Sequence, residues 1–86
     1  MPNPFNPSTA IRFVVPNGPA LEYRVEIYDA AGRVVRHLDR KLAQPGLNEV
    51  IWNGKDDQGA SVGSGVYLYR LELGAERLVS KMVLVK

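Results

Sequence analysis

The residues best suited by type and spacing to chemistry are Asp56 and Asp57, a carboxylate pair in the polar stretch from Asn53 to Ser61. Hard cations such as calcium take oxygen ligands from loops of this kind. The stretch has neither the regular acid spacing nor the distal bidentate Glu of an EF-hand, and Lys55 adds a competing positive charge. Asp56 and Asp57 are therefore weak metal candidates beside a simpler reading, an Asp-Gly-rich turn that caps the fold. Other reactive types are sparse. His37 is the sole histidine and lies in the basic run Arg33, Arg36, His37, Arg40, Lys41, with no sign of a serine beside it. Nucleophilic hydrolysis needs a nucleophile, a base and an orienting group, so a surface histidine is the better account. Glu26, Glu49 and Glu72 could pair for acid–base work on a glycoside, but each falls at an outward strand position where solvation explains it. Sugar binding needs several exposed aromatics on one face, and Tyr28 alone is predicted to point outward. No catalytic residue and no cofactor is expected.

Composition narrows the classes further. The 86 residues give room for one domain and no second hydrophobic core. There is no cysteine, so disulfides and thiolate metal sites are excluded, and a single histidine argues against zinc. The net charge is +2, and basic residues alternate with acidic ones: Arg24 neighbours Glu26, Arg70 neighbours Glu72, Glu76 precedes Arg77. That spacing suits a solvated sheet face and not a nucleic-acid patch. No apolar run approaches the roughly 18 residues needed to span a bilayer, so no membrane insertion is expected.

The elements that must position these residues are strands. Pro2, Pro4 and Pro7 deny backbone donors to the opening, which reads as an extended linker over 1–8 docking on the domain that follows, with Phe5 as its anchor. Ile11, Phe13 and Val15 alternate with Arg12 in a first strand, and Tyr23, Val25 and Ile27 alternate with Arg24, Glu26 and Tyr28 in a second. Between Val34 and Leu42 the apolar residues also fit a helical stripe, but the β-branched start after the tight turn at Gly32 favours a strand. Gln44-Pro45-Gly46 turns the chain into a strand from Leu47 to Trp52, with Trp52 expected at the centre of the core. Val62 reads as a short edge segment. Gly65 to Leu73 and Ser80 to Lys86 form the last hairpin, its turn supplied by Gly74, Ala75 and Glu76. Tyr67, Tyr69, Leu71 and Leu73 share one face of it, Val66, Leu68, Arg70 and Glu72 the other, and a buried Tyr67 or Tyr69 hydroxyl is expected to hold a neighbouring loop. Turn signals every 8–12 residues between short strands predict an all-β fold, an immunoglobulin-like antiparallel β-sandwich of about seven short strands over 9–86.

Five segments in this order resemble the type A C-terminal sorting domain of type IX secretion cargo: Pro2-Asn3-Pro4-Phe5-Asn6-Pro7, Val25 to Arg36, Pro45-Gly46, Gly65 to Leu71, and Lys81-Met82-Val83-Leu84-Val85-Lys86. The resemblance covers essentially the whole chain. It implies an immunoglobulin-like module of a secreted protein from the Bacteroidota or relatives, following an upstream cargo domain for which Met1 would be an introduced start. Such a module directs its cargo from the periplasm across the outer membrane, and a surface sortase-like peptidase then removes it and joins the cargo to the cell surface. The positions matching the family's signal motifs are Gly65, Val66 and Tyr67 with Lys81, Met82, Val83, Leu84, Val85 and Lys86. Asn48 to Gly59 is closer to the related immunoglobulin-like domain of flagellar hook-capping proteins, with Asn53 where that family usually has an acid. A structural spacer or assembly module is accordingly the alternative, and a carbohydrate-binding module a more distant one.

Overall fold

Alternation of side chains carries directly into the backbone. The computed structural model describes residues 8–85, so the Phe5 anchor and Lys86 lie outside the described residues. Among these described residues six strands form, β1 (Thr9–Val15), β2 (Leu21–Asp29), β3 (Val34–Ala43), β4 (Gly46–Trp52), β5 (Gly65–Leu73) and β6 (Glu76–Leu84). They make two antiparallel sheets, β1-β4 and β3-β2-β5-β6. Among the described residues no helix is long and apolar enough to cross a membrane.

The sheets bury one face each against the other. Ile11, Phe13 and Val15 of β1 and Val50 and Trp52 of β4 meet Tyr23, Val25 and Ile27 of β2, Tyr67 and Leu71 of β5 and Leu84 of β6. Trp52 is fully buried, as expected, and stacks edge-on against Tyr67 at 5.3 Å between ring centres. Phe13 and Tyr23 form a second aromatic pair at 5.1 Å. Each such side chain taken from water contributes about 1.5–3 kcal/mol.

One expectation holds with an irregularity, and two need correction. The ambiguous segment is the strand β3, but it does not alternate cleanly: its register against β2 shifts between Val25 and Glu26 and again between Ile27 and Tyr28. Leu38 and Val35 are the extra residues, and both pack against the core. Two bulges therefore place Val35 and Leu38 on the inner side at a spacing of three, which is why the sequence imitates a helical stripe. Val62 forms no strand among the described residues. Its amide donates to the Gly54 carbonyl at 3.0 Å, beside a single bridge between Lys55 and Ser61, so it closes the 53–62 loop and adds to neither sheet. Glu26, expected on a solvated face, is 8% exposed. It does point outward, but Tyr28, Arg70 and His37 close over it.

Candidate functional site

Three places gather the residues singled out above, one at each edge of the larger sheet and one on its outer face between them. At the β3 edge the polar loop folds back on the strand. The Asp57 amide donates to the Val35 carbonyl at 3.1 Å, and Asp57 Oδ1 accepts the His37 amide at 2.8 Å. Asp57 Oδ2 lies 2.7 Å from His37 Nδ1, and His37 Nε2 lies 3.7 Å from Glu26 Oε2. The His37 amide and ring hold the Asp57 carboxyl below the usual carboxylate range. Asp56 is held within the loop, its Oδ1 accepting the amides of Gln58 and Ala60 at 2.9 Å each. Arg36 Nη1 reaches the carbonyls of Lys55 and Asp56, and Trp52 Nε1 donates to the Lys55 carbonyl at 2.9 Å, tying the loop to the core. Asp57 thus spends both oxygens on His37 and Asp56 spends Oδ1 on the loop backbone, and no cluster of three or more metal-ligating side chains forms among the described residues. The Asp-Gly-rich turn is the reading that fits this geometry.

On the outer face of β2 and β5, Glu26 accepts hydrogen bonds from the Tyr28 hydroxyl at 2.7 Å and from Arg70 Nη2 at 2.8 Å. The phenol's hydrogen bond, ahead of the guanidinium, keeps the Glu26 carboxyl ionised to lower pH than usual even though burial opposes it. Arg70 also lies over the Tyr28 ring, 5.5 Å from its centre, and so occupies one of its two faces. Glu49 is apart from the other two acids, pairing with Arg12 on the small sheet at 2.8 Å.

The opposite edge holds the last hairpin. Gly65 opens β5 at φ +156, a conformation L residues rarely adopt, with open space where a Cβ would stand. Tyr67 is buried, and its hydroxyl donates to the Gly63 carbonyl at 2.6 Å, fixing the approach to the strand. Register places Val66 opposite Val83, Tyr67 opposite Met82 and Leu68 opposite Lys81. The signal-motif residues therefore divide. Tyr67 and Leu84 are buried in the sandwich and Met82 packs against it, whereas Val66, Lys81 and Val83 are brought together on the outer face of β5 and β6, with Val85 exposed just beyond. Sequence reasoning passed over two neighbours of this surface, Leu78 and Val79, each more than half exposed. Val79 faces outward opposite Arg70, whereas the register that faces Leu71 inward also faces Leu78 inward, on the last strand of the sheet.

A six-stranded antiparallel sandwich with these turns is an immunoglobulin-like domain. The chain belongs to the FlgD Ig-like domain family, whose sequence model matches residues 5–76. No curated protein and no solved structure matches it.

Proposed function

We propose that this immunoglobulin-like module is a non-catalytic C-terminal sorting and surface-attachment domain, spanning 9–86 behind a Pro-rich linker and read by type IX secretion machinery through its last hairpin and terminus. An upstream cargo domain is its passenger, a surface sortase-like peptidase its later partner, and its route runs through the periplasm to the cell surface or the medium. The observation that supports this reading is the asymmetry of the larger sheet. Asp57 blocks the β3 edge with two backbone hydrogen bonds, while among the described residues β6 pairs only with β5, and the two strands turn Val66, Lys81 and Val83 outward. An open edge strand is a template on which another chain can add.

Removal of 81–86 from a cargo-bearing precursor is expected to abolish export. Leu84 is a core residue at 3% exposure, so the truncation also weakens the fold; the double change Lys81→Ser, Val83→Ser keeps the buried residues and separates the two effects. Wild-type surface delivery of a stably folded double variant would contradict the sorting role.

The family match supports a second reading, a structural spacer or assembly module of the hook-capping kind. That reading expects delivery of a linked protein to be indifferent to the outer face of β6.

A further inference from the structure

The edge that the sorting reading leaves open has two chemically different sides. On the inner side, Leu78 stands opposite Leu71. Leu71 is 5% exposed and Leu78 is 53% exposed. The cause is the unequal width of the two layers, since a two-stranded sheet does not extend over all of a four-stranded one. What remains beneath is a groove of about 340 Å³ between β1 and the β5–β6 hairpin, lined by Phe13, Val14, Leu71, Leu73, Leu78 and the turn-proximal Glu76 and Arg77.

On the outer side, Lys81 lies between Val79 and Val83, both exposed. Among the described residues Lys81 has no acidic partner. Five other basic residues of the same sheet each have one: Arg77 faces Glu72, Arg70 faces Glu26, Arg24 faces Glu72, Arg40 faces Glu22 and Lys41 faces Asp39. Leu78 and Lys81 are three residues apart and so lie on opposite faces of the strand.

We infer that the β6 edge takes, by strand addition, an extended segment of a partner chain that carries an apolar side chain on its inner face beside Leu78 and a carboxylate on its outer face beside Lys81. The inference rests on the reading of the last hairpin as the recognised element and names the chemistry of what recognises it. An added strand lies about 4.8 Å beyond β6. Its inward side chain next to Leu78 enters the groove and completes the cover that the small sheet lacks. Its outward side chain next to Lys81 supplies the missing counter-charge, in the manner of a cross-strand ion pair. Backbone hydrogen bonds hold the segment, and these alternate side chains select it. A second copy of this chain is the wrong occupant. Antiparallel pairing about Ser80 sets the two Lys81 side chains on one face as diagonal neighbours, about 7–8 Å apart, with no carboxylate between them.

The test uses the isotope-labelled 86-residue chain and two capped eight-residue peptides, one alternating Val with Glu and one alternating Val with Lys, titrated by amide NMR. The Glu peptide is expected to shift and protect amides from Arg77 to Val83 and to bind at least about fivefold tighter than the Lys peptide. Lys81→Glu reverses that preference, and Leu78→Ser weakens both peptides without changing it. Thermal melts confirm that these two exposed-site variants remain folded. Equal binding of the two peptides, an unchanged preference in Lys81→Glu, or shifts confined to β1 or β3 would overturn the inference. The sorting reading fails separately: charge-selective binding at β6 together with undiminished export of Lys81→Glu cargo would remove that reading and leave the edge site standing.

Discussion

Asp57 stands against His37 as the next strand of the sheet would. Its amide serves the Val35 carbonyl and its carboxylate takes the His37 amide, so the backbone groups of β3 between two bulges are satisfied by a single loop residue. Open edges invite pairing with other chains, and a covering loop is one of the standard defences.

Asp57→Ala removes the carboxylate acceptor and leaves the His37 amide open to water. Faster hydrogen exchange at His37, a lower urea midpoint and concentration-dependent self-association are expected. Asp57→Asn keeps an acceptor oxygen and is expected to fall between the two. An exchange rate at His37 unchanged by Asp57→Ala would show that the loop does not guard the edge.

Stability is expected to fall at both ends of the pH scale. Glu26 and Asp57 titrate below their ordinary values in the fold, Glu26 through the Tyr28 hydroxyl first and Asp57 through the His37 amide first. Their stabilisation is therefore complete above the unfolded carboxylate range, about 4, and is lost as pH falls through the lower folded values. Tyr23 moves upward through burial and its bond to Asp39, and Tyr28 upward through burial and its bond to Glu26. Stabilisation from both phenols is complete below about pH 10 and declines as pH rises beyond it. Urea midpoints across the range check both limbs, and Glu26→Gln is expected to flatten the acid one.

The hydroxyl of Tyr67 and the ring of Trp52 give a graded test of the core. Tyr67→Phe frees the Gly63 carbonyl and is expected to cost about 1 kcal/mol, with β5 otherwise intact. Trp52→Ala is expected to cost about 3–5 kcal/mol, against a total stability of about 4–13 kcal/mol for this length, leaving a marginal or unfolded chain. Denaturant curves followed by circular dichroism measure both.

Gly65 and Val66 are adjacent members of one motif but are expected to respond differently. Gly65→Ala meets open space yet strains a backbone held at φ +156, at a cost of about 1–3 kcal/mol. Val66 is 43% exposed, so Val66→Ser is expected to change stability by no more than about 0.5 kcal/mol. A delivery defect in the second without a stability defect would mark Val66 as a contact residue.

Where the chain alternates cleanly, as from Ile11 to Val15 and from Tyr23 to Ile27, period-2 reasoning found both the strand and the buried face. The same logic located Trp52 at the core and left Tyr67 or Tyr69 to hold a neighbouring loop by its hydroxyl, a role that Tyr67 takes. It failed where the signal is tertiary. Alternation assigns Glu26 an outward direction but cannot reveal that Tyr28 and Arg70 will close over it from the same and the next strand. The contact between His37 and Asp57 spans twenty residues and depends on how the loop folds back, which neither residue's neighbours encode. The bulges at Val35 and Leu38 break the period itself. The last hairpin was legible as a hairpin, but its division into a buried half and a presented half follows from register against β5.

The central claim is tested most directly by joining residues 1–86 to a periplasm-directed fluorescent reporter in a type IX-competent bacterium and in a secretion-defective strain of it. The account predicts reporter on the surface or in the medium of the competent strain alone. A folded fusion retained in the periplasm of both strains would contradict it.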